Sequence, residues 1–193
     1  MKSLKVAVVL AILTVFVSCK DKNKEMEKEV ETTEIKEVEE VSEIKKVSFD
    51  LESRSESTAK GKVVFSEKDG IVSFNANLEG LTPGSHAIHI HEKSDCSAAD
   101  GTSAGGHWNP TAQPHGKWGA ADGYHKGDIG NFTADDAGNG FISLQTDEWC
   151  IGCDDPNKDI LGKSIIVHQG EDDFTSQPSG AAGARVSCGG IIQ

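Results

Sequence analysis

From residue 47 onward the chain consists of short apolar or alternating runs broken by clusters of Gly, Asp, Asn and Pro, and it sustains no 3.6-residue period. Val47, Phe49 and Leu51 alternate with polar residues, and apolar runs follow at 63–65, 71–74, 87–90, 129–132, 141–144 and 165–167. Runs of this length read as strands and not helices, so the pattern predicts an all-β fold, an antiparallel sandwich or barrel. Glycine, at 21 of 193 residues, supplies the turns that so many strands require. A stretch of about 146 residues can bury one adequate core. It contains no internal repeat, and no Gly-rich phosphate loop follows a strand.

Two other compositional blocks precede this one. Residues 1–19 carry Lys2 and Lys5, an apolar run over 6–17, then Ser18 and Cys19. Twelve residues are too few for a bilayer span of about 20, and they match the apolar region of a secretory signal. A small residue followed by Cys resembles a bacterial lipoprotein signal, so Cys19 is expected to be lipidated and to become the mature N-terminus; Phe16 departs from that motif's usual leucine. Residues 20–46 are mostly Glu, Lys, Val, Thr and Ile, without Gly, Pro or aromatics. Val38, Val41, Ile44 and Val47 recur every three residues, as on a short helix, but the charge density favours a solvated tether. As a flexible coil it would reach about 30 Å. The boundaries expected are therefore a signal over 1–19, a charged tether over 20–46 and one folded domain over 47–193.

The net charge of −12 excludes a general nucleic-acid binder, which needs a basic face. Residues 48–193 hold 21 of the 31 acidic groups and ten of the 19 basic ones, so the acidity belongs to the folded part.

All seven histidines fall between residues 86 and 168. His89 and His91 are two apart on a predicted strand, so both imidazoles face one side while Ile88 and Ile90 face the core. His107, His115, His125 and Asp128 follow on Gly-rich loops, and the set reads as a metal site. Imidazole suits copper and zinc, and three nitrogens with one carboxylate suit tetrahedral zinc. Six of the seven histidines with one aspartate are one ligand short of two four-coordinate sites. A shared, deprotonated imidazole closes that gap.

The segments 84–91 (GSHAIHIH), 105–110 (GGHWNP), 114–116 (PHG), 125–131 (HKGDIGN), 166–168 (IVH) and 183–189 (GARVSCG) together resemble the copper/zinc superoxide dismutase family. The likeness runs over essentially all of 47–193. It implies an eight-stranded Greek-key β-barrel or flattened sandwich with long metal-binding loops, and one copper and one zinc per chain. Copper would be held by His89, His91, His107 and His168, and zinc by His107, His115, His125 and Asp128, with His107 as the bridge. Asp172 matches a carboxylate that hydrogen-bonds one ligand histidine of each metal. Arg185 matches the arginine beside the copper that draws in the anion, and His86 a histidine that braces the loops. Cys96 and Cys188 match the family's disulfide. Cys150 and Cys153, in a WCIGC motif that most members lack, read as a second local disulfide, with a free dithiol or accessory metal pair as the alternative.

The activity implied is conversion of two superoxide anions and two protons to dioxygen and hydrogen peroxide by Cu(II)/Cu(I) cycling, with His107 and Arg185 as the catalytic side chains and zinc structural. The alternative is a noncatalytic copper or zinc binding or chaperone module on the same sandwich, whose expected mark, missing ligands, is absent here. Two departures bear on substrate guidance. The segment between His168 and Arg185 is short and lacks lysine, and Ser179 stands where many members place threonine. The partners expected are superoxide, no nucleic acid, a membrane only through the lipid, and at most a second copy, as a monomer or homodimer. The location expected is the bacterial cell envelope, on the periplasmic side or the surface. With both metals and an imidazolate bridge, about −8 remains on the domain, so attraction of the anion must come from a local positive field around Arg185.

Overall fold

The computed structural model describes residues 43–193, so the expected signal, Cys19 and most of the tether lie outside the described residues. Eight strands follow in order: β1 (Lys45–Ser53), β2 (Lys60–Lys68), β3 (Ile71–Glu79), β4 (Gly84–His91), β5 (Gly130–Ala134), β6 (Gly140–Thr146), β7 (Ser164–His168) and β8 (Arg185–Gly190). All neighbours pair antiparallel in the order β1-β2-β3-β6-β5-β4-β7-β8, and β1 pairs with β8 to close the barrel. A three-residue turn of 3-10 helix, Thr102–Ala104, is the only helix among the described residues.

The first strand begins two residues before the expected boundary at 47. Lys45 and Lys46 belong to β1 rather than to a tether, because Lys45 pairs with Glu67 across the sheet and donates to the Ile151 carbonyl. Val47 is accordingly a strand residue facing the core, and it does not continue a helical stripe from Val38.

Alternation builds the first wall. Val72, Phe74, Ala76 and Leu78 of β3 are buried while their neighbours are not, and Phe65 lies directly opposite Phe74 with ring centroids 5.0 Å apart. The second wall is buried on both faces, as in β4 and β7. Ile88 and Ile90 of β4 and Ile165 and Val167 of β7 enter the barrel core. His89 and His91 face the other way, where the connections at 92–129 and 169–184 cover them. Burying each such aliphatic side chain contributes about 1.5–3 kcal/mol, which keeps β4 a rigid carrier for two histidines at fixed spacing.

Candidate metal centre

Four imidazoles meet where β4, β7 and the 92–129 connection converge. His89 and His91 come from β4 and His168 from the end of β7, while His107 is drawn in by an isolated antiparallel bridge with His91. Each offers one ring nitrogen to a cluster whose atoms lie within 4.8 Å of one another. His89 Nδ1, His91 Nε2, His107 Nε2 and His168 Nε2 are buried and without hydrogen-bond partners. Four unpartnered nitrogens converging in the dark interior would be costly unless a cation engages their lone pairs. Opposite ring atoms set the orientation: His91 Nδ1 donates to the Gly105 carbonyl at 3.0 Å and His89 Nε2 to Asp172 Oδ2 at 2.9 Å. Burial, then repulsion from neighbouring rings, holds His91 and His168 well below the usual histidine value. His107 is pushed down to about 4 by burial, against the pull of Asp128. These rings are neutral near pH 7 and can act as ligands without first losing a proton.

A second cluster, His107, His115, His125 and Asp128, sits on irregular backbone beside the first and shares His107 with it. Its geometry depends on the carboxylate. Asp128 Oδ2 accepts the backbone N–H groups of Gly116 at 3.1 Å and His125 at 2.8 Å, and Oδ1 lies 2.8 Å from His107 Nδ1. His115 Nδ1 and His125 Nδ1 are 3.0 and 3.2 Å from the Asp128 oxygens. Both are buried and outside hydrogen-bond geometry. Burial raises an ordinary carboxyl, yet the three facing imidazoles hold Asp128 far below its usual value. At His115 burial again opposes charge, but Asp128 and Asp172 outweigh it and raise the ring to about 9.

Asp172 joins the clusters. Beside its bond from His89, its Oδ1 accepts His115 Nε2 at 2.8 Å and the Phe174 N–H at 2.8 Å. Burial is again outweighed, here by the two imidazole bonds, and the carboxyl stays low. Asn131 holds the Asp172 backbone at both ends, accepting its N–H and donating to its carbonyl, each at 2.8 Å. Gln177 does the same for His115, with both bonds at 2.9 Å. Gly180, at φ +69°, passes so close that a Cβ there would strike the Asp172 carboxylate and come within 2.7 Å of His115 Nε2. Sequence reasoning did not find Asn131 or Gln177 as holders of the site. Asn131 lies near the start of β5 and Gln177 on a loop, and a single amide in either place leaves no periodic signal. His86 joins neither cluster. Its Nδ1 lies 2.9 Å from the His168 carbonyl oxygen and its Nε2 2.7 Å from that of Thr82, and the ring stacks on Phe132.

A cleft of about 410 Å³ opens over the first cluster, lined by His91, His107, His168, Ser179, Arg185 and Glu92. Arg185 is half-buried and donates to the Gly101 carbonyl at 2.8 Å. That carbonyl lies in the loop which the Cys96–Cys188 disulfide ties to β8, so the bridge and the arginine are coupled. Glu92, unforeseen, brings a negative charge to the rim and accepts the Gly106 N–H at 3.3 Å. Cys150 and Cys153 form the second disulfide. A larger groove of about 840 Å³ on the outer wall, between Lys62 and Phe141, contains no ligand cluster.

Four imidazoles suit copper, and three imidazoles with one carboxylate suit tetrahedral zinc, so the residues fit both ions. Residues 59–191 match the copper/zinc superoxide dismutase family. The chain is 34% identical over 142 residues to superoxide dismutase (Cu-Zn) 2 of Aquifex aeolicus, covering 71% of this chain and 81% of that protein. It is 38% identical over 137 residues to superoxide dismutase (Cu-Zn) of Caulobacter vibrioides, covering 68% and 77%. With extracellular superoxide dismutase (Cu-Zn) of Caenorhabditis elegans it shares 32% over 137 residues, 68% of this chain and 60% of the relative. By the extent of these matches, and with an eight-stranded barrel that carries two buried ligand clusters sharing one histidine, the chain belongs to the copper/zinc superoxide dismutase family.

Proposed function

We infer that this protein is a superoxide dismutase with one copper and one zinc per chain, and that His89, His91, His107 and His168 hold the copper while His107, His115, His125 and Asp128 hold the zinc. The observation that carries the reading is the pair of buried clusters joined by His107, with Arg185 at the mouth of the cleft above one of them. When bound, copper supplies one-electron oxidation and reduction and zinc supplies fixed charge without redox change. Two superoxide anions and two protons become dioxygen and hydrogen peroxide. Arg185 draws the anion into the cleft and orients it. His107 faces both clusters, so its Nε2 takes up a proton in one half of the cycle and delivers it to the substrate in the other. Asp172 keeps His89 and His115 in the tautomers that aim Nδ1 at the metals.

Residues 1–19 export the chain, and Cys19 carries the lipid that anchors it in the cell envelope. Two disulfides support an oxidising compartment. Loss of membrane association in Cys19→Ala is the expected result, and an unchanged distribution would remove the anchor. The catalytic reading is tested by superoxide consumption of the protein carrying both metals and its inhibition by cyanide. Full metal content without consumption would make the protein a binding module.

A further inference from the structure

The metal clusters leave one motif unused, the Trp149-Cys150-Ile151-Gly152-Cys153 segment between β6 and β7. Trp149, Cys150 and Ile151 are all buried, which no strand facing a single core can do with three successive residues. The segment therefore needs its own fastening. The Cys150–Cys153 disulfide closes it. Cys150 exchanges backbone bonds with Lys158 and Ile160, Gly152 donates to Asp159 Oδ1, and Ile151 donates to Glu67 Oε2 at 2.7 Å. The Trp149 ring sits edge-on against Phe65 and Phe74 of the barrel core.

From this fastened base two side chains reach the loop that carries His125. Trp149 Nε1 donates to the Lys126 carbonyl at 2.9 Å. Glu148 accepts the Tyr124 hydroxyl at 2.6 Å on one oxygen and the Lys126 ammonium on the other. Trp118 completes the contact, its ring tilted against Tyr124 at 5.2 Å and edge-on to Trp149 at 5.1 Å. Both residues flanking His125 are thus held from Glu148 and Trp149, and Asp128 follows two residues later.

We propose that the Cys150–Cys153 loop is a positioning device for the zinc half of the site, holding His125 and Asp128 in ligand geometry through Glu148 and Trp149. The proposal rests on the zinc assignment given above. Its physical basis is that a ligand loop left free must be ordered when the ion binds, which weakens binding, whereas one docked on a rigid base has already lost that freedom. Its effect is selective. The copper-side rings His89, His91 and His168 come from strands β4 and β7, and their hydrogen bonds go to Asp172, Gly105 and Gly183, not to the 148–153 segment.

The test uses the full chain loaded with copper and zinc. Cys150→Ser/Cys153→Ser and Glu148→Gln are compared with the parent for zinc release to excess chelator and for the visible spectrum with cobalt in the zinc site. The double variant is expected to release zinc about 10–100-fold faster. Glu148→Gln is expected to do so several-fold faster and with shifted cobalt bands, both variants keeping their copper. Glu148 is partly exposed, so its substitution reads the brace even where the double variant folds poorly. Parental zinc release and cobalt spectrum in Glu148→Gln would overturn the proposal, whatever the melting temperature of the double variant. A parent chain that takes up copper but no zinc would instead overturn the zinc assignment, and this proposal with it.

Discussion

Replacing Asp172 by alanine probes the link between the two halves of the site. The carboxylate is 1% exposed and accepts three hydrogen bonds, from His89 Nε2, His115 Nε2 and the Phe174 N–H. Its removal leaves two imidazole N–H groups buried without an acceptor, at about 1–3 kcal/mol each. Each ring can relieve this by moving its proton to Nδ1, but Nδ1 is the atom offered to the metal, so the relief competes with binding. The two halves do not suffer equally. His89 stays on β4, held by ladder bonds to β7, whereas His115 lies on irregular backbone fixed by Gln177 and by Asp172 itself. Zinc affinity should therefore fall about 10–100-fold, the range for loss of a partner to a ligating histidine, and copper affinity by less than about tenfold. Competition titrations of each metal against a chelator measure both. Unchanged zinc affinity in a folded Asp172→Ala protein, or a larger loss for copper than for zinc, would show that Asp172 does not hold the zinc-side ring.

Arg185→Ala should lower the second-order rate by about tenfold or more and flatten its dependence on ionic strength, with copper content unchanged; an unaltered rate and salt response would remove Arg185 from substrate guidance. Cys96 and Cys188 lie 92 residues apart, so opening their bridge should cost about 4–5 kcal/mol of stability, against about 2 kcal/mol for Cys150–Cys153, three apart. Denaturant unfolding of serine variants gives both values, and the reverse ranking would contradict the argument. In the metal-free protein, burial lowers His91, His168 and His107, the last to about 4, so the unfolded chain binds more protons and stability falls as pH drops from about 6.5 through those values. His115 opposes burial through Asp128 and Asp172 and is raised to about 9, so its contribution is complete below about 6.5 and is lost as pH rises through 9. The melting temperature of the stripped protein should thus peak near pH 6.5, and a steady rise from pH 5 to 9 would contradict these shifts.

Strands whose side chains alternate between core and water were legible in the sequence, as β1 and β3 show, because the period of two survives in Val47-Phe49-Leu51 and Val72-Phe74. The pairing of His89 with His91 was readable for the same reason. β8 carries Ser187, Gly189 and Gly190 and has almost no apolar signature, so only the resemblance of 183–189 to the family indicated it. His115, His125 and Asp128 lie on irregular backbone, where spacing alone predicts no common direction. Asn131 and Gln177 act through the backbone of distant residues, and Glu148 through the distant side chains of Tyr124 and Lys126, contacts which no local pattern reports. The first two residues of β1 are not legible as strand, because Lys45 and Lys46 have the composition of the tether and the partners of a strand.

The most direct test of the account is the rate of superoxide loss as copper is added stepwise to protein already filled with zinc. The reading predicts that consumption rises in proportion to copper up to one per chain and then stops, and that zinc-only protein is inactive. Loss of superoxide no faster than in buffer at one copper per chain, or equal activity in the zinc-only protein, would contradict it.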